Sequence, residues 1–177
     1  MCIRDSHIDT ERIFIAGNSS GGHIALMTAF TEAQGIFDTP MYQEAPCRIK
    51  GVIAQSAPSD IMKCAKEPLP PGFPESFRPT RDLLGVKEVL ESPELAEAAS
   101  CGKYISEAAK LPPVLLFHGI DDVHVSVEHS RELFALLKGA GKDAAYYEIE
   151  GGGHGGAVFW TDRILDIMET FIKERRL

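Results

Sequence analysis

The chain has 177 residues, 44% hydrophobic and 25% charged, with 18 basic against 26 acidic side chains and a formal net charge of −8. That length and balance suit one globular domain with a sizeable core. The acidic balance disfavours nucleic acid and anionic membrane, which need basic patches, and no stretch approaches the ~20 apolar residues of a membrane span.

Arg12-Ile13-Phe14-Ile15-Ala16 is the first strong strand, continuously apolar as in a strand buried on both faces. Gly17-Asn18-Ser19-Ser20-Gly21-Gly22 ends it. His23 to Phe30 then reads as a helix apolar almost all round, hence buried, with Gly35 as its stop. Gly51 to Gln55 is a second strand. From Ile61 to Lys110 the pattern loosens. Pro68, Pro70, Pro71, Pro74 and Pro79 crowd one stretch and argue against a regular element there, while Ser92-Pro93-Glu94 opens a short helix. We read residues 61–110 as a loop-rich insertion within a single domain. Val114 to Phe117 is a third strand, Val127 to Lys138 a helix with Ser126 as a candidate N-cap, Ala145 to Ile149 a fourth strand, and Phe159 to Glu174 a last helix. Strands alternating with helices predict an α/β fold, a mainly parallel sheet of about four strands flanked by helices.

Of the four cysteines, Cys2, Cys47, Cys64 and Cys101, no two stand at CxxC spacing, and free thiols are expected. The N-terminus shows no signal-peptide pattern, and the compartment stays open.

Gly17-Asn18-Ser19-Ser20-Gly21 fits G-x-S-x-G with a strand before it and a helix after. Such a turn is sharp enough to strain the nucleophile's backbone, and side chains at the flanking positions would clash, which explains the glycines. Ser19 is the candidate nucleophile, and Ser20 would lend its backbone N–H at the helix start to an oxyanion. A serine needs a base. Of six histidines, His154 sits in Gly151-Gly152-Gly153-His154-Gly155-Gly156, directly after the fourth strand, and emerges at the same sheet edge as Ser19. His23 reads as a packing or hydrogen-bonding residue and His118 as structural; His124 and His129 are expected on the surface. Asp121, His124 and His129 match no standard metal-ligand spacing. For the acid that orients the base, Asp121 and Asp122 compete after the third strand, with Asp60 a weaker rival.

These motifs together resemble the α/β-hydrolases of the esterase/lipase group, close to feruloyl- and acetylesterase-like carbohydrate esterases. G-N-S-S-G-G-H-I-A-L resembles that group's G-x-S-A-G-G-H-L-A elbow, and G-G-G-H-G its histidine loop. H-G-I-D-D-V-H-V resembles H-G-x-x-D-x-x-V-P, which places the acid at Asp122, and Ala99 to Ile105 resembles A-S-P-x-x-Y-I. Cys101 and Ser126 stand where the group usually has proline. The resemblance implies a Ser19-His154-Asp122 triad that hydrolyses carboxylic esters, of short acyl or acetylated or feruloylated carbohydrate type, through an acyl-enzyme and with no cofactor or metal. A prolyl-oligopeptidase-like peptidase and a non-catalytic interaction domain remain alternatives. The group's elbow follows about four strands and their helices; here it begins at residue 17, and no HGG or HGGG loop is present. The opening Met1-Cys2-Ile3-Arg4-Asp5-Ser6 resembles translated adapter read-through, and Asp9 to Ile13 the group's D-x-x-R-I lead. The chain therefore reads as a truncated product lacking the N-terminal half of its own domain, weak or inactive alone, with its first strand left as a sheet edge.

Overall fold

The computed structural model describes residues 9, 11–32, 34–37, 39, 48–70, 72–106 and 108–175. The opening hexapeptide, His7, Cys2 and Cys47 lie outside them. Four strands, β1 (Ile13–Asn18), β2 (Ile49–Gln55), β3 (Val114–Gly119) and β4 (Ala144–Ile149), form one sheet in the order β1-β2-β3-β4, every pairing parallel. Parallel pairing puts all four C-terminal ends on one edge of the sheet, where the registers Asn18↔Gln55, Gln55↔Phe117 and Gly119↔Ile149 align the strand exits.

The central strands alternate between two cores. Val52, Ala54, Val114 and Leu116 pack against α1 (Ser20–Glu32) and α5 (Glu128–Gly139) through Leu26, Phe30, Leu133 and Leu137. Ile53, Leu115 and Phe117 face α6 (Asp162–Glu174) through Ile164 and Phe171, with Phe159 beside them. A strand covered on both faces has no reason to alternate in polarity, which is why these read as continuous apolar runs. No helix among the described residues is long and apolar enough to cross a membrane.

Three expectations need correcting. α1 is not buried all round: Leu26 and Phe30 are fully covered, but Ile24 is 60% exposed, because the helix lies on one face of the sheet and only its inward stripe is covered there. The proline-crowded stretch does hold a regular element. α3 (Pro79–Leu84) starts on Pro79, where a missing N–H costs nothing because the first helical N–H groups have no intrahelical acceptor. The last helix starts later than expected, since a 3₁₀ turn at Ala157–Trp160 buries Phe159 and extended Thr161 separates it from α6. Between β2 and β3 also lie α2 (Ile61–Lys66) and α4 (Pro93–Ala98), joined around a small cluster of Ile61, Val89 and Ala96.

Candidate active site

β1 runs straight into Ser19, whose φ of 55° lies in the left-handed region that L-residues avoid. The strain is held from both sides: Ser19 N–H donates to the Gln55 carbonyl at 2.8 Å, and the Ser19 carbonyl accepts from His23 N–H at 3.0 Å. Two glycines permit the turn. A Cβ on Gly17 would lie 2.2 Å from the Gly21 carbonyl carbon, and one on Gly22 would lie 2.9 Å from the Ala57 Cβ. Gly21 faces open space, so the crowding expected there falls on Gly22 instead. Ser20 opens α1, and its backbone N–H has no intrahelical acceptor.

A second close approach joins the two loops that follow β3 and β4. A Cβ on Gly119 would sit 2.2 Å from the Gly152 carbonyl oxygen, so only glycine lets these backbones touch. Ile120 N–H donates to the Ile149 carbonyl at 3.0 Å and Asp121 N–H to the Gly152 carbonyl at 2.9 Å. This clamp fixes Asp122 against His154. His154 Nδ1 donates to Asp122 Oδ2 at 2.8 Å, and His154 Nε2 lies 2.8 Å from Ser19 Oγ. A carboxylate can only accept, so Nδ1 carries the proton and the Nε2 lone pair faces the serine hydroxyl.

Asp122 is saturated with donors. Oδ1 accepts the N–H groups of His124 and Val125, each at 2.9 Å, and His118 Nε2 stands 3.3 Å from Oδ2. Burial alone would raise its pKa; the hydrogen bonds from His118, His154, Val125 and His124 outweigh burial and hold the carboxyl well below the usual range. The other acids are elsewhere: Asp121 is exposed, and Asp60 caps α2 by accepting from Lys63 N–H at 2.9 Å. His118 is fully buried, as a structural residue should be, with Nε2 donating to the Val125 carbonyl at 2.9 Å and Nδ1 2.7 Å from Ser130 Oγ. Its contact with Asp122 was not foreseeable from spacing alone, although the shared H-G-x-x-D segment puts the two one short turn apart.

A model of one family, BD-FAE, matches residues 4–137, most of the chain. The chain belongs to the BD-FAE family. BD-FAE is an esterase domain of the α/β-hydrolase type. Among solved structures, the chain is similar to a truncated carbohydrate esterase from gut microbiota (TM-score 0.80, 23% identity, covering 97% of this chain and 62% of that one). It is also similar to a thermophilic esterase of Thermogutta terrifontis in its propionate-bound form (TM-score 0.68, 23% identity, 94% and 57%). An acylaminoacyl peptidase is similar over 96% of this chain but 25% of its own (TM-score 0.69, 22% identity). At these identities the likeness concerns fold. The chain spans about three fifths of the length of the two esterases. A search of curated proteins found no match.

One histidine of this BD-FAE chain departs from expectation. His129 is buried, not on the surface. Its Nδ1 accepts from Ser59 N–H at 3.2 Å, and its Nε2 lies 3.3 Å from Glu67 Oε2 and 3.4 Å from Cys64 Sγ. Among the described residues, Cys64, Glu67 and His129 are the cluster with metal-ligand atoms close together; Asp121 and His124 do not join it. Its donor set does not suit a cation. A backbone N–H pointing at Nδ1 forces the proton onto Nε2, the nitrogen that would have to ligate. Burial, then the charges of Glu67 and Asp60, push the Cys64 thiol up to about 12. His23 is buried, with Nε2 2.8 Å from the Ala99 carbonyl, in the packing or hydrogen-bonding role expected of it. Cys64 and Cys101 are free thiols; burial pushes Cys101 to about 12 as well.

Proposed function

We propose that this chain carries the reacting residues of a serine carboxylic-ester hydrolase. The unbroken hydrogen-bonded line from Ser19 Oγ through His154 to Asp122 supports it most directly. Ser19 Oγ attacks the acyl carbon while His154 Nε2 takes its proton. Asp122 fixes the tautomer and offsets the imidazolium charge. The oxyanion meets the N–H of Ser20 at the start of α1. On collapse His154 gives the proton to the leaving alcohol, leaving an acyl-enzyme that water cleaves by the reverse sequence. These steps call on no metal or organic cofactor.

The substrate class is a short-acyl, or acetylated or feruloylated, carbohydrate ester; BD-FAE membership and the carbohydrate-esterase neighbour favour it. The acylaminoacyl peptidase neighbour supports the same triad acting on an amide, which a paired ester and anilide substrate would separate. With Ser20 as the one assigned oxyanion donor, the chain by itself is a slow catalyst, since a missing donor costs ~10²–10³ in rate. The test is labelling by a fluorophosphonate, read by mass spectrometry. Slow, stoichiometric modification of Ser19 in the folded chain, absent in Ser19→Ala, is expected. No modification of Ser19 after prolonged exposure, or equal labelling of the Ser19→Ala chain, overturns the proposal.

A further inference from the structure

Four rings run from solvent to the reactive histidine. His124 meets His154 edge-to-face, with centroids 5.1 Å apart and planes at 72°. Phe73 meets His124 at 5.4 Å and 84°, and Phe77 stacks on Phe73 at 4.4 Å and 22°. His124 is held to the site by its own backbone, since its N–H donates to the same Asp122 carboxylate that orients His154. Phe73 and Phe77 lie on the proline-rich segment after α2, where Phe77 N–H donates to the Pro74 carbonyl at 2.8 Å and closes a turn. Phe73 nevertheless stays 42% exposed. A scattered exposed phenylalanine is ordinary; a stacked pair continued by a histidine up to the base is a contiguous apolar wall.

The chemistry says which part of an ester this wall would touch. His154 Nε2 must reach the leaving oxygen to return the proton, so the alcohol lies on the His154 side. The acyl oxygen lies at the start of α1, by Ser20. Rings beside His154 are therefore neighbours of the alcohol. We propose that Phe73, Phe77 and His124 form an alcohol-side subsite for a ring with an apolar face, an aryl or a pyranose ring. The assignment rests on the serine-hydrolase reading for its orientation. Aromatic pairing of this kind corresponds to a roughly 2- to 10-fold change in affinity.

Binding to the Ser19→Ala chain, followed by saturation-transfer NMR, tests the subsite without turnover. The probes are phenyl acetate, methyl 3-O-acetyl-xylopyranoside, ethyl acetate and ethyl benzoate. Adding Phe73→Ala or Phe73→Leu is expected to weaken one or both ring-alcohol acetates about 2- to 10-fold and to leave ethyl acetate and ethyl benzoate unchanged. Whichever acetate responds names the ring. Thermal melts that match the parent chain show that the fold is kept, and the leucine variant keeps apolar bulk while removing the ring. Weakening confined to ethyl benzoate, equal weakening of all four, or none, overturns the proposal. Wild-type labelling at Ser19 is scored separately. A responding subsite with an unreactive Ser19 would sink the hydrolase reading alone, and a labelled Ser19 with no response would sink the subsite alone.

Discussion

Two histidines in this molecule are each bonded to an acid and brought close to a nucleophilic atom, yet their ring nitrogens are partnered in opposite ways. His154 divides the work between its nitrogens: Nδ1 donates to Asp122 and Nε2 faces Ser19 Oγ, both at 2.8 Å. His129 presents one nitrogen, Nε2, to both Glu67 and Cys64, at 3.3 and 3.4 Å, while Ser59 N–H occupies Nδ1. A proton relay needs an acid on one nitrogen and a nucleophile on the other. The first cluster has that arrangement, which supports the proposed relay. The second does not have it: Cys64 of α2 and Glu67 both meet the same nitrogen of His129 on α5, and burial pushes the thiol up to about 12. The lesson is that residue types and proximity are too weak a criterion; which ring nitrogen each partner meets decides.

The sharpest way to break the contrast is to swap each acid for its amide. In Asp122→Asn, the amide oxygen stays with the two backbone N–H groups on Oδ1, which leaves the amide NH₂ facing His154. Nδ1 must then accept, the proton moves to Nε2, and Ser19 loses its base. Fluorophosphonate labelling of Ser19 should slow about 10³- to 10⁴-fold. In Glu67→Gln the rate should stay unchanged. Equal rates for Asp122→Asn and the parent chain would show that the hydrogen-bonded line is not a relay.

Acid titration sharpens the same contrast through stability. Burial is the largest influence on His129 and lowers its pKa against the opposing pull of Glu67. The folded state then binds this proton less well than the unfolded chain, so stability is full above about pH 6.5 and is lost as pH falls below it. Asp122 is also depressed, so its contribution is present above about pH 4 and is lost only below that. Urea midpoints measured from pH 8 to 3 should fall in two stages. His129→Gln should flatten the first and Asp122→Asn the second; a single stage unaffected by His129→Gln would contradict the neutral, buried assignment.

Much of the first cluster was legible in the sequence, because each part carries a local sign. Ser19 stands between glycines after an apolar strand, His154 is framed by glycines, and Gly119 precedes the Asp121-Asp122 pair. The second cluster carries none. His129 lies in Glu128-His129-Ser130-Arg131-Glu132, which reads as a solvent face, and its partner Glu67 is 62 residues away in the chain. Burial there is decided by Ser59, Cys64 and Glu67 closing on His129, a packing event that polarity patterns do not encode. The Phe73–His124 contact escaped for a related reason: a proline-rich segment has no period from which to infer its facing side. The helix at Pro79 is hidden in the sequence because proline, a breaker inside a helix, is a starter at a first turn.

Strain offers the smallest and last test, and it separates the two regions once more. Ser56, where β2 leaves the sheet toward Ser59 and His129, shares the left-handed backbone of Ser19, with φ 46° against 55°. It is fully buried, and its hydroxyl has no hydrogen-bond partner among the described residues, whereas the Ser19 hydroxyl meets His154. A left-handed L-residue costs of order 1–3 kcal/mol, part of which glycine recovers after its larger unfolded-state entropy is counted. Ser56→Gly should therefore raise stability by about 1 kcal/mol, read as a shifted urea midpoint at constant slope, with Ser19 labelling unchanged. Ser19→Gly should stabilise similarly and abolish labelling. If Ser56→Gly also slowed labelling at Ser19, the strain at the end of β2 would belong to the reactive turn, since Ser19 N–H bonds the neighbouring Gln55 carbonyl, and the two regions would be one mechanical unit.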